Sequence, residues 1–350
     1  MSTEESMSVG DTRSVSANSV VIRVEAGEST MRSVGRRILV AVLMASILMN
    51  MMFLLSTAVE STATTQDVQQ SHHSGNESAA AKLVVISFSG TIMPPFTGRW
   101  LSQIKQAQED DDVKGVLLAI DSPGGLVADS HQLYHELQKL AQKKPIYVAM
   151  KRMAASGGYY LAMGIGTGGR IFAEPTTWTG SIGVIIPRYN AAELASKIGV
   201  TAEPLVTGPL KGSLNPFRDL SDLEIEVWDA ILKDSFDRFV GVIEQNRATL
   251  NDEQVRKLAT GQIYTTNQAI ENGLVDEVGY EEEALTALAE SLGLSDYEVI
   301  QYSSVPTFLD VILGASAQTK HSFAEELMSA SVPRAMYYCS WNPWVPAFAD

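Results

Sequence analysis

The sequence predicts an α/β fold built on a mainly parallel sheet and preceded by one transmembrane helix. Two observations carry this. From residue 82 onward, short apolar runs alternate with amphipathic stretches, and nearer the N-terminus one apolar run holds no charge. Strands alternating with helices imply βαβ units, whose central strands are buried on both faces and read as continuous apolar runs. Of 350 residues, 45% are hydrophobic and 19% charged, which is enough apolar side chain for a packed core.

Residues 1–37 are rich in Ser, Thr, Glu and Val without an apolar period, and are expected to form a disordered cytoplasmic tail. Residues 38–59 read ILVAVLMASILMNMMFLLSTAV. At about 1.5 Å per residue, such a helix crosses a hydrocarbon layer about 30 Å thick. A core helix rarely runs so far without a charged face. A cleaved signal peptide has an apolar region of roughly 7–15 residues behind a short leader. An uncleaved anchor is therefore the expectation. Arg32, Arg36 and Arg37 precede the span, and Glu60 and Asp67 follow it. Positive charge stays cytoplasmic, so everything after the span is expected on the extracytoplasmic side. Residues 60–81, rich in Ser, Thr, Gln, His and Ala, read as a linker.

The folded part is expected over 82–302. Lys82 to Phe88 (KLVVISF) reads as a buried strand, Trp100 to Asp110 as a helix, and Val113 to Ile120 as a second strand. Leu126 to Lys143 has a helical period and is followed by a strand from Pro145 to Met150. Ile171 to Ala173, Ile182 to Ile186 and Thr201 to Val206 read as further strands, with a helix at Ala191 to Ile198. A long helix over Leu220 to Arg247 takes Ser221 as its cap. Shorter helices follow near 252–259, 266–272 and 281–292, and a last strand at Glu298 to Tyr302. Residues 303–350 read as an irregular tail.

Composition excludes several functions. A net charge of −15 and a pI near 4.8 argue against nucleic-acid binding, which needs clustered Lys and Arg. A single cysteine, Cys339, excludes an internal disulfide framework and a cysteine-based zinc site. The five histidines, His72, His73, His131, His135 and His321, lack metal-ligand spacing, so no metal is expected.

Three small-residue turns could carry chemistry. Asp121-Ser122-Pro123-Gly124-Gly125 follows a strand and opens a helix, so its backbone N–H groups can meet negative charge. A plain βα turn would look the same. It has neither dinucleotide nor P-loop spacing, and no cofactor is expected. Met153-Ala154-Ala155-Ser156-Gly157-Gly158-Tyr159-Tyr160 places a serine where a helix starts. That serine is either a nucleophile with backbone N–H groups beside it or an ordinary cap. Thr179-Gly180-Ser181-Ile182-Gly183-Val184 is the third. No histidine lies in a comparable motif, so a Ser-His-Asp triad is not expected. A lysine can act as base where burial disfavours its ammonium form. Lys211, in Gly208-Pro209-Leu210-Lys211-Gly212-Ser213, sits among few other charges; a solvated loop lysine is the alternative.

Taken in order, these motifs resemble the signal peptide peptidase A family, serine peptidases with a Ser-Lys dyad. The resemblance covers about 82–302. It includes Gly261-Gln262-Ile263-Tyr264 and Gly273-Leu274-Val275-Asp276-Glu277-Val278-Gly279, and the tail Pro333-Arg334-Ala335-Met336-Tyr337-Tyr338 is similar to the end of short members. It implies a ClpP/crotonase-like spiral of ββα units, with Ser156 as nucleophile and Lys211 as general base. Gly125 and Gly157 would be the oxyanion donors, and Ser181 a residue that orients the lysine. It implies peptide substrates, remnant signal peptides among them, and a homo-oligomer. Gln262 stands where the family often has Arg, and three extra residues fall in Gly164 to Gly169. Two other readings remain: an acyl-CoA enzyme of the same fold, and a catalytically inactive membrane scaffold.

Overall fold

The computed structural model describes residues 68–304 and 336–338, with scattered residues between 37 and 51. The chain divides into two units, 1–62 and 63–350. In the first, the described residues, among them Leu39, Val42 and Ile47, are helical. The expected anchor lies largely outside the described residues. Among those described, no helix is long and apolar enough to cross a membrane.

The second unit is a mixed α/β fold around a parallel-rich sheet. In chain order it contains β1 (Val68–Gly75), β2 (Lys82–Ser89), α1 (Phe96–Glu109), β3 (Val113–Ser122), β4 (Gly124–Leu126), α2 (Val127–Ala141) and β5 (Ile146–Ala155). Then come α3 (Gly157–Ala162), β6 (Ile171–Ala173), β7 (Trp178–Gly180), α4 (Ala192–Lys197), α5 (Asp222–Asn246) and α6 (Asp252–Leu258). The described part closes with β8 (Ile263–Thr265), α7 (Thr266–Glu271), β9 (Glu277–Val278), α8 (Glu281–Ser291), β10 (Glu298–Ser304) and β11 (Met336–Tyr338).

The main sheet runs β1-β10-β2-β3-β5-β6-β9, with β7 paired to β5 and β8 to β7. From β10 to β9 every pair is parallel. Alternation along the central strands divides the core in two. Val84, Ile86, Val116, Leu118, Ile120, Val148 and Met150 face a layer containing α1, α2 and α3. Leu83, Val85, Leu117, Ala119, Tyr147 and Ala149 face Ala284, Leu285 and Leu288 of α8. Both faces are covered, which is why these strands read as unbroken apolar runs.

Several expectations need correction. The helix expected from Trp100 starts at Phe96, with Pro95 as its N-cap. The strand expected to end at Met150 runs on to Ala155, since β7 extends its pairing. Residues 182–186 form no strand: the backbone turns at Ser181, φ 49°, and only an isolated bridge joins Ile185 to Met336. Residues 201–206 are exposed coil; their apolar side chains have no sheet edge to join. Part of the expected linker is β1, antiparallel to β10. Its side chains are mostly exposed, so backbone pairing at an edge holds it without an apolar signature. Within the expected irregular tail, β11 pairs with β4.

Candidate active site

β3 and β5 lie side by side and end together, so their carboxyl ends bring the first two motifs into contact. Ser122 pairs with Ala154, one turn from Ser156. The buried Ser122 hydroxyl donates to the Gly90 carbonyl at 2.6 Å and accepts from the Gly124 N–H at 3.1 Å, which shapes the turn. Asp121 carries the Arg152 guanidinium at 2.7 Å, so this carboxylate is a structural partner of the turn.

Both glycines are required by close approach. A methyl on Gly124, φ 101°, would stand 2.1 Å from the Tyr337 carbonyl oxygen and 2.7 Å from the Gly157 nitrogen. One on Gly125 would strike the Ile92 backbone at 2.0 Å. The Gly124 carbonyl accepts from Ile92, and the Leu126 N–H donates to Ile92. By strand alternation the Gly125 peptide groups therefore point to the opposite side, towards β11, where Tyr337 lies across from it.

Ser156 is 1% exposed and has φ 55° and ψ −113°, a sharp turn between β5 and α3. Positive φ strains a residue with a Cβ, and such strain gathers at functional turns where a strand feeds a nucleophile into a helix start. The Ser156 N–H donates to the Gly180 carbonyl at 2.7 Å, and its own carbonyl accepts from Tyr160. Among the described residues its hydroxyl has no hydrogen-bond partner. A buried hydroxyl left so costs roughly 1–3 kcal/mol. Strain and an unmet hydroxyl thus fall on one residue, and the hydroxyl makes no capping hydrogen bond among the described residues.

The third motif buttresses this serine. β7 pairs with both β5 and β8, and the Ser181 N–H donates to the Gln262 carbonyl at 2.7 Å. Gln262 thus acts here through its backbone. Ser181, 8% exposed, follows directly on the glycine that holds Ser156. The 273–279 segment is scaffolding: Tyr159 donates to the Leu274 carbonyl at 2.9 Å, and Arg247 pairs with Asp276 at 2.7 Å.

Lys211 lies on a turn whose shape comes from outside it. Arg218 donates to the Gly212 carbonyl at 2.8 Å and grips the Glu224 carboxylate through both guanidinium nitrogens. Trp228 donates to the Ser213 hydroxyl at 2.6 Å. Arg218, with the Ser221 backbone N–H, holds the Glu224 carboxyl well below the usual carboxylate range. The lysine is exposed, contrary to the desolvated loop that its use as a base requires, and it does not touch the Ser156 hydroxyl. The structure therefore joins Ser156, Gly125, Gly157 and Ser181 within one chain and leaves Lys211 apart.

A buried, strained serine near backbone N–H groups at strand ends is the arrangement that acyl-transfer chemistry of the serine-hydrolase type uses. Peptidase family S49 matches residues 138–295, a range that contains Ser156, Ser181 and Lys211. A protein of Enterococcus faecium named signal peptide peptidase SppA is 40% identical over 252 residues, 68% of this chain and 72% of that one. A protease of Synechocystis is 36% identical over 222 residues, covering 63% of this chain and 78% of its own length. Protease 4 of Salmonella typhi is 32% identical over 233 residues, 66% of this chain but 37% of its own. The chain belongs to the signal peptide peptidase A family, peptidase family S49, and is a serine peptidase.

Sequence reasoning missed Ser122, Ser130 and Tyr337. Ser122 stood inside a motif read only for its glycines. Tyr337 carries burial and aromatic stacking that depend on contacts from distant parts of the chain. The signal for Ser130 was a serine one helical turn beyond the glycine pair.

Proposed function

We propose that the protein is a membrane-anchored endopeptidase with a ClpP/crotonase-like core. It cleaves extended peptides, remnant signal peptides among them, through a Ser156 nucleophile and Lys211 as general base. The observation that carries this is the Ser156 turn, buried and strained beside the Gly125 and Gly157 amides. As Ser156 Oγ adds to the peptide carbonyl, its proton passes to Lys211 Nζ. The two N–H groups receive the developing oxyanion, each donor being worth about 100-fold or more in rate. The lysine proton then goes to the leaving amine, and water releases the acyl group by the same route. Ser181 orients the lysine. A fluorophosphonate probe tests the reading: it should label Ser156, and labelling elsewhere, or none, would count against it.

The unpartnered Ser156 Oγ and the exposed Lys211 support a base supplied by a neighbouring copy in a homo-oligomer. Supporting this, Leu194, Ile198, Leu205, Phe217 and Ile225 leave apolar surface exposed on the same stretch of chain. The uncharged apolar run at 38–59 and the arginines before it support an anchor with the peptidase domain on the extracytoplasmic side. A reporter that works only in the cytoplasm, fused after Asp350, should stay silent; a bright one would reverse the topology.

Strand β11 supports a peptide substrate. Its backbone lies antiparallel on β4, on the side to which the Gly125 N–H points, and it also bridges Ile185. An incoming peptide would use that edge by strand addition. Tyr337 fills an aromatic recess, with ring centroids 4.9 Å from Tyr160 and 4.6 Å from Phe239. A chain ending before Met336 should cleave subsaturating peptide several-fold faster than the full chain. A slower truncated enzyme that still melts cooperatively would show β11 to be support for the site and not an occupant of it.

A further inference from the structure

Ser130 lies in the second turn of α2, just beyond the glycine pair. A serine inside a helix usually bonds back to the carbonyl four residues earlier. Ser130 does not: it is fully buried and its hydroxyl has no partner. The helix around it is well seated. Asp129 accepts from Thr97 at 2.7 Å, and the His131 ring nitrogen meets the Tyr160 hydroxyl at 2.7 Å. The unmet hydroxyl therefore belongs to this position and does not reflect a loosely placed helix.

Its direction is fixed by what surrounds Gly157. A methyl built on Gly157 would stand 2.7 Å from Ser130 Oγ and 3.1 Å from the Gly125 nitrogen. In a helix the Cα–Cβ bond leans towards the N-terminus, the same way as the first-turn N–H groups. Ser130 Oγ thus lies against Gly157, one residue from Ser156, on the side where the Gly125 nitrogen also stands. Among the described residues, Ser130 and Ser156 both carry buried hydroxyls without a hydrogen-bond partner. Unmet polar groups in a native core mark places where a missing partner arrives during function.

We propose that Ser130 is a third oxyanion donor. Its O–H hydrogen-bonds the carbonyl oxygen of the tetrahedral intermediate beside the two backbone N–H groups. No proton is transferred to or from it, and the bond is released when the carbonyl re-forms. The proposal rests on the reading of Ser156 as nucleophile.

Ser130→Ala tests it in the full chain. Losing one donor should lower kcat about 10- to 100-fold with KM within about twofold. Affinity for a peptide boronate, whose tetrahedral adduct presents the same oxygen, should fall by a like factor. The melting temperature should hold or rise, because an unsatisfied hydroxyl has been removed. Ser130→Cys, with a weaker donor of similar size, should fall between the two. Wild-type kcat in Ser130→Ala, or a loss of kcat matched by a loss of Tm and none in boronate affinity, would overturn the proposal. Ser156→Ala serves as the control. If it is inactive while Ser130→Ala is fully active, only the third donor fails; if Ser156→Ala stays active, the nucleophile itself is wrong.

Discussion

Ser156→Ala is expected to abolish peptide hydrolysis and leave the fold intact. The hydroxyl makes no hydrogen bond, so its removal breaks nothing and relieves an unmet buried group. The alanine still carries a Cβ at φ 55°, so the strain of the turn remains. Ser156→Gly should remove that strain as well and be more stable than the alanine variant by about 1 kcal/mol. Residual turnover should fall below about a hundredth of wild type in both, because a nucleophile cannot be replaced by binding alone. Calorimetry alongside a peptide assay checks the pair. An alanine variant above that level of activity would remove Ser156 from the mechanism.

The second large effect is at Lys211. Lys211→Arg should be nearly inactive although charge is kept, because guanidinium does not give up its proton at working pH. A mixing experiment separates a base from the same chain from one supplied by a neighbour. Ser156→Ala chains and Lys211→Ala chains, each inactive, are unfolded and reassembled together. If every site takes its serine from one chain and its lysine from the next, about a quarter of the junctions regain both. Activity near that fraction supports the shared site. A mixture as inactive as its parents, with assembly verified by mass, places the serine and the lysine of each site in the same chain.

The central strands and the three turns were legible in the sequence because their signals are local. A buried parallel strand must be apolar on both faces, and a tight turn against another backbone must be glycine. Gly124 and Gly125 meet that demand in the structure. Elements decided by pairing were not legible. β1 is polar and exposed on most of its length, so nothing in VQQSHHSG distinguishes a strand from a linker until β10 is beside it. Residues 201–206 show the converse: they read as a strand, but they are exposed coil that pairs with no described strand. In the site, Ser156 was legible from its small neighbours, whereas Ser130 was hidden because a serine inside a helix is usually satisfied by its own helix.

If a substrate adds to β4 as proposed, strand β11 would set a threshold for what the enzyme notices. A segment of the same chain would compete at an effective concentration of roughly millimolar, whatever the protein's own concentration. A passing peptide that binds β4 no better than Met336–Tyr338 would rarely gain entry at lower abundance. Peptides held nearby, as those in the same bilayer would be, share that local advantage and compete on equal terms. Selectivity would then come less from a sequence preference in the groove than from confinement, with the chain's own end as the reference against which each substrate is weighed.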